Sequence, residues 1–187
     1  MPPKVKITKN DVIQTALDLL RKEGESALNA RTIASALNCS TQPIFSNFPT
    51  MDDLKKEVES SAFSLYLNYL QKECLNGEYA PYKAYGMAYI RFAKEEKELF
   101  KLLFMCDRNN QKITPTEDFE SSVNMIMNNL GITKTQAEKM HFEMWICVHG
   151  IATMIATSFC SYSSEEISAI LSDIYQGLRL KHLSTEN

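Results

Sequence analysis

The run Asn29-Ala-Arg-Thr-Ile-Ala-Ser-Ala-Leu-Asn-Cys-Ser-Thr-Gln-Pro-Ile-Phe-Ser-Asn-Phe48 gathers side chains suited to one kind of chemistry. Arg31 carries a guanidinium that can bond two acceptors of a guanine at once, and Gln42 carries an amide that can do the same with an adenine. Thr41 adds a hydroxyl, and the ring of Pro43 is an apolar surface able to meet a thymine methyl. Presented near the N-terminus of a short helix, such groups reach base edges in a major groove. Catalytic constellations are missing from the sequence. It has no Gly-rich phosphate loop, no His-Glu-x-x-His and no Gly-x-Ser-x-Gly. Its acidic pairs Asp52-Asp53, Glu95-Glu96 and Glu165-Glu166 are sequence neighbours that diverge on a helix. Acids in a first helical turn complement the helix dipole, which accounts for all three pairs without catalysis, and the chain is read as a non-enzyme.

Local signals define the elements that must position these groups. Asn29 is a good N-cap, and Ile33, Ala34 and Leu37 then share one face of a helix that ends at Leu37. Asn38 tolerates the left-handed conformation of a sharp reversal, Cys39 is a small apolar plug, and Ser40 is placed to cap the next helix. Pro43 falls inside the first turn, where a missing amide hydrogen costs little. Ile44 and Phe48 then point to a core, with Thr41, Gln42, Phe45, Ser46 and Asn47 at or near the surface.

Ahead of this run, a helix starting at Thr8, with Asp11 as its capping-box partner, buries Ile13, Ala16, Leu17 and Leu20 and stops at Gly24. After it, Thr50 caps a long fourth helix over 51–74, with Leu54, Val58, Ala62, Leu65 and Tyr69 along one face. Asn76-Gly77 breaks that helix and Pro81 starts the next. Helices follow over 82–93 and 95–106, and then a polar connection over 107–115 ends at Thr116, a candidate cap. A seventh helix carries Phe119, Val123, Ile126, Met127 and Leu130 and is closed by Gly131. Thr133 or Thr135 caps an eighth that runs to about residue 159, and Ser163 or Ser164 opens a ninth that runs to about residue 182. No strand, internal repeat or low-complexity tract is evident. The expected fold is all-α with about nine helices, divided into a helix-turn-helix domain at 1–50 and a helical module at 51–187.

With 187 residues, 44% of them hydrophobic and 23% charged, the chain is long enough to bury a real core. A net charge of -3 argues against nonspecific coating of nucleic acid, yet the charge is uneven. Residues 1–50 hold six Lys or Arg against four Asp or Glu, net +2, and residues 51–187 hold fourteen against nineteen, net -5. The five cysteines, Cys39, Cys74, Cys106, Cys147 and Cys160, are scattered without a Cys-x-x-Cys pair. They read as reduced thiols of a cytoplasmic protein. Neither they nor His141, His149 and His182 have metal-ligand spacing, so no metal and no cofactor are expected. The start has no apolar stretch of a signal peptide, and the most apolar segment, 145–159, is too short to span a bilayer.

Taken in order, these pieces carry a family resemblance over about residues 8–54. The amphipathic helix from Thr8 to Gly24, Asn29-Ala-Arg-Thr-Ile-Ala34, Ser40-Thr-Gln-Pro-Ile-Phe45 and Asn47-Phe-Pro-Thr-Met-Asp-Asp-Leu54 resemble the DNA-binding domain of tetracycline-repressor-like (TetR) transcription regulators. The chain departs from the family pattern at Phe45, where a Tyr is usual, and at Met51, where a Lys is usual; both usual residues hold backbone phosphates. Further along, Trp145-x-x-x-His149-Gly150 resembles the Trp-His-Gly type of C-terminal domain found in part of that family. Arg31, Thr41, Gln42 and Pro43 are the candidates for base contacts, and Phe45 is counted with them among the DNA-binding residues. The resemblance implies phosphate contacts from Lys4, Lys6, Lys9, Asn47 and Thr50, with Lys55 in support.

It also implies an effector pocket in the middle module, where Tyr66, Tyr69, Tyr85, Tyr89, Phe92, Phe104, Met105 and Met144 are the lining candidates. Trp145 and His149 lie four apart on one helical face and either touch the same ligand or form a core pair. One reading helix spans only a few base pairs, so a quasi-palindromic double-stranded operator and a homodimer are expected. The last two helices offer Ile151, Ile155, Phe159, Ile167, Ile170, Leu171, Ile174 and Leu178 for a four-helix interface. The implied function is that of a dimeric repressor released from its operator by a small, largely apolar effector. The alternative is a helical ligand- or partner-binding protein whose head has lost its DNA role.

Overall fold

The computed structural model describes residues 7–106 and 117–183. Lys4, Lys6, the connection over 107–115 and the candidate cap Thr116 lie outside the described residues. Within them are nine α-helices, one 3-10 turn at Glu25–Ala27 and no strand. The helices are α1 (Lys9–Glu23), α2 (Ala30–Ala36), α3 (Gln42–Asn47), α4 (Met51–Asn76), α5 (Pro81–Glu95), α6 (Lys97–Phe104), α7 (Glu117–Leu130), α8 (Lys134–Ala156) and α9 (Ser164–Leu183). None of the described helices is long and apolar enough to cross a membrane.

Four helices open on reciprocal caps. Thr8 and Asp11 close a capping box on α1, and Thr133 and Gln136 close one on α8. Thr50 and Asp53 bond each other in the same way at α4, as do Ser163 and Glu166 at α9. Each pair satisfies amide hydrogens that a first turn leaves without intrahelical partners. Helix α1 ends at Gly24, whose φ of 76° suits glycine. Two of the boundaries that differ from the sequence reading have a clear local cause. The cap of α3 is Thr41, with helical dihedrals and no side-chain bond, so Ser40 does not cap it. Helix α8 stops at Ala156, because Ser158 takes a left-handed φ of 58° that ends the helix before 159.

The chain divides into two compact units, one formed by Met1–Leu67 with Glu96–Cys106, the other by Asn68–Glu95 with Asp107–Asn187. The first unit takes in the start of α4 and all of α6. The return of α6 has a physical basis in the first unit itself. Its Leu99, Phe100 and Leu103 are buried, α6 packs on α1, and Arg21 grips Glu96 through Nε at 2.8 Å and Nη2 at 3.2 Å. That two-pronged geometry suits a carboxylate and holds the Arg21 charge firmly. The core of this unit continues with Val12, Leu17, Leu20, Ile33, Ile44, Phe48, Leu54 and Val58. Along α4 the buried stripe runs Leu54, Val58, Ala62, Tyr66, Leu70. Steps of four keep to one ridge, so Tyr66 and Leu70 are buried in place of the expected Leu65 and Tyr69, which are half-buried.

In the second unit α5 lies against α8, and α9 packs on both. Gly86 permits this approach, because a Cβ there would meet Leu171 Cδ1 at 3.3 Å and Val148 Cγ2 at 3.5 Å. A second cluster joins α7 to α8 through Val123, Ile126, Ile132, Ala137 and Met140, with Tyr82, Phe119 and Leu178 packed around it. His141 lies beside this cluster, edge-on to Phe119. The Tyr82 hydroxyl and His141 Nδ1 are hydrogen-bonded at 3.0 Å, and burial pushes the Tyr82 phenol up and keeps it protonated.

Burial also lowers His141 to about 4 from its ordinary 6.5. With the folded value below the unfolded one, the unfolded chain takes the proton first. The second unit therefore keeps this contribution in full above about pH 6.5 and loses it as pH falls toward 4. Discounted for partial exposure, the loss by pH 4 is about 1–2 kcal/mol. Urea midpoints at pH 7 and pH 4.5 should converge in His141→Gln relative to the native chain; an unchanged gap between them would exclude His141 as the source.

Candidate nucleic-acid interface

Helices α2 and α3 are joined by a tight reversal at Asn38, which has φ 51°. Asn29 caps α2 by accepting from Thr32 N at 3.0 Å, and Ile33 and Ala34 are buried beneath it. On α3, Ile44 and Phe48 are anchored in the core, which turns Gln42, Phe45 and Ser46 outward and leaves Thr41 and Pro43 partly covered. Arg31 sits in the first turn of α2, exposed, and makes no ion pair or hydrogen bond among the described residues. The Gln42 amide and the Thr41 hydroxyl are likewise uncommitted among the described residues. The expected base readers Arg31, Thr41, Gln42 and Pro43, and with them Phe45, thus lie at least partly open to the outside on two consecutive helices.

The expected phosphate contacts fare differently. Asn47 spends both amide hydrogens inside the head, on Pro43 O at 2.8 Å and Ile7 O at 3.3 Å. Its remaining oxygen is an acceptor and cannot bond a phosphate, so Asn47 braces α3 against the chain entering α1. Thr50 donates its hydroxyl to Asp53 at 2.7 Å, and the Asp53 carboxylate already occupies the N-terminus of α4. Lys9 pairs with Glu57 and lies over the Phe48 ring at 5.3 Å, and Lys55 pairs with Glu25 at 3.6 Å. These lysine pairs are exposed and weak, and a phosphate can displace them. The side-chain types signalled binding; their tertiary partners were not visible in sequence.

The ten candidate effector residues separate. In the first unit, Tyr66 is buried edge-on to Phe104 at 5.2 Å, and Met105 is 40% exposed. In the second unit, Tyr69 meets Phe92 edge-on at 5.4 Å and donates to Glu95 at 2.8 Å, while Phe92, Tyr89 and Met144 are buried and Tyr85 is half-buried. Tyr89 bonds His149 Nδ1 at 2.9 Å, and burial lowers His149 from its ordinary value. Trp145 stacks on His149 at 5.1 Å with an interplanar angle of 13°, so that pair forms, but with Trp145 at the surface instead of inside a core.

A shallow groove of about 120 Å³ on the second unit is lined by Met87, Ile90, Arg91, Lys94, Glu95, Ser164 and Ile167, none of them among the ten. It falls well short of the ~300 Å³ that a drug-sized ligand requires. No cluster of His, Cys, Asp and Glu among the described residues has the arrangement of a metal site.

The expected dimer residues also sort differently. Ile151, Ile155, Ile167 and Leu171 are buried in the second unit, while Ile170, Ile174 and Leu178 are half-buried and Phe159 is exposed. The outward apolar side of α8 is instead Phe142, Trp145 and Ile146. Sequence periodicity missed it because α8 is apolar on several sides. Phe142 stacks on Trp145 with ring centroids 6.1 Å apart, a pairing that arises only once the helix has formed.

These features define a class: all-helical proteins in which a helix-turn-helix head precedes a helical module. No family model and no curated protein sequence matches the chain. Among solved structures, a protein of unknown function from Rhodococcus sp. RHA1 aligns with TM-score 0.74 at 19% identity, covering 96% of this chain and 100% of that one. A TetR-like transcriptional regulator from Rhodococcus sp. RHA1 aligns with TM-score 0.66 at 12% identity, with 100% of both chains covered. The multidrug binding protein EbrR, complexed with imidazole, aligns with TM-score 0.60 at 16% identity over 89% of this chain and 93% of that one. The fold of this chain is that of the TetR-like regulators.

Proposed function

We propose that this chain is a sequence-specific, DNA-binding transcriptional regulator, acting in the cytoplasm as a homodimeric repressor on a quasi-palindromic operator. The observation that carries the reading is the outward, uncommitted placement of Arg31 on α2 and of Gln42 on α3. A small, largely apolar effector would release it by binding the DNA-incompetent conformation better than the competent one. Support for the effector is the likeness of fold to EbrR together with the Tyr, Phe and Met content of the candidate residues. The module 51–187 is then the effector-binding and dimerising part, and 1–50 the reading part.

Selection of bound sequences from random duplexes tests the reading, followed by a salt titration. A phosphate-binding head loses affinity steeply as salt rises. Arg31→Ala should weaken binding to the selected site about 10- to 100-fold and relax the choice at one base pair per half-site. An unaltered base preference in Arg31→Ala would remove it from the readers. A second reading, a helical binding protein with a degenerate head, is favoured by Asn47 and Thr50, whose donors are spent within the head. Affinity that is flat in salt and indifferent to sequence would select it.

A further inference from the structure

One side chain of α3 neither caps a helix nor fills the core. Phe45 is 46% exposed although its neighbour Ile44 is fully buried. Its ring has no hydrogen-bonding capacity and so cannot hold a phosphate as a hydroxyl would. Holding that much aromatic surface in water is unfavourable, and the exposure recurs on no other large apolar residue of α2 or α3.

The other outward groups of α3 narrow what this ring can do. Ser46 donates its hydroxyl to Gln42 O at 2.9 Å, and Asn47 donates to Pro43 O and Ile7 O. Gln42 is left as the polar reader of the helix body, with Thr41 at its start. Gln42 and Phe45 are three residues apart, about 4.5 Å along a helix axis, close to the ~3.4 Å rise of one base step. On the floor of a major groove the one apolar group is the C5-methyl of thymine. An amide that suits adenine and a ring that suits a methyl, one step apart, match neighbouring A·T pairs.

We propose that Phe45 is a specificity-determining residue that packs on a thymine methyl, one base step from the adenine bonded by Gln42, in each half-site. The inference rests on the DNA-binding reading above and deepens it. Phe45 then supplies discrimination where a hydroxyl at the same place would supply backbone attachment.

The test starts from the operator selected by the full-length chain. Each thymine of a half-site is replaced in turn by deoxyuridine, which keeps pairing and removes only the methyl. At one position per half-site the native chain should lose about fourfold in affinity, the factor that burial of one methyl supplies. Phe45→Ala should bind the thymine and uracil duplexes equally, and Phe45→Leu should keep part of the preference. Uracil tolerated at every position, or an equal penalty in Phe45→Ala, overturns the proposal while leaving DNA binding intact. If the native chain selects no sequence at all, both this inference and the DNA-binding reading fall. Because Phe45 is exposed, its variants should retain the native helical circular dichroism.

Discussion

Arg91→Met should destabilise the second unit by about 3–5 kcal/mol, because it leaves the Glu73 carboxylate buried without its counter-charge. Glu73 is 2% exposed, and its Oε2 is ion-paired with Arg91 Nη1 at 2.7 Å. Its other oxygen, Oε1, is buried and has no hydrogen-bond partner. The pair is lopsided: the Arg91 side chain is 38% exposed and rehydrates easily, whereas Glu73 cannot reach water. Admission of water along the Arg91 side lowers the expected cost toward the smaller figure. For a chain of this size that cost corresponds to a fall on the order of 10 °C in thermal midpoint. The double substitution Glu73→Met with Arg91→Met should restore most of the loss, since apolar groups of similar volume replace a buried pair at little cost. A native-like midpoint in Arg91→Met alone would show that Glu73 does not depend on it.

If the proposed homodimer buries the outward strip of α8, Trp145→Ala is expected to weaken self-association at least 30-fold, the effect of losing an anchor worth about 2 kcal/mol at the centre of an interface. Phe142, Trp145 and Ile146 are 56%, 44% and 50% exposed, an apolar strip on α8 that the second unit does not cover. Phe142, Trp145 and His149 are stacked ring on ring, which fixes the strip in one shape before any partner arrives. Gly150, one turn on, has nothing within 4 Å of where a Cβ would stand, so a second backbone can come close there. Sedimentation across a dilution series measures the loss. Because Trp145 is the only tryptophan, its emission in the native chain should also shift to the red on dilution as the proposed dimer dissociates. Sedimentation of Trp145→Ala indistinguishable from the native chain would place the interface elsewhere.

The helix starts were legible because their signals are local. Thr8 with Asp11 and Ser163 with Glu166 are read within four residues, and so is the reversal at Asn38. The anchoring of α3 by Ile44 and Phe48 was legible for the same reason. What escaped was set by distance along the chain. The Arg21–Glu96 grip joins residues 75 apart, so nothing in either neighbourhood shows that α6 returns to α1. Asn47 and Thr50 had the right chemistry for phosphates, but their donors are claimed by Ile7, Pro43 and Asp53. On α8, apolar residues occur on several faces, and composition alone could not tell Ile151, which faces inward, from Ile146, which faces out.

The reciprocal caps differ in one chemical respect. Asp11, Asp53 and Glu166 close theirs with a carboxylate, whereas Gln136 closes the one on α8 with a neutral amide. Acid turns a carboxylate into a poorer acceptor but leaves an amide untouched. Acid therefore loosens the first turn of α1, whose Asp11 the bonds from Thr8 hold below the usual carboxylate range, while the neutral box on α8 stays closed, and amide exchange in strong acid would record that difference between the two helix starts.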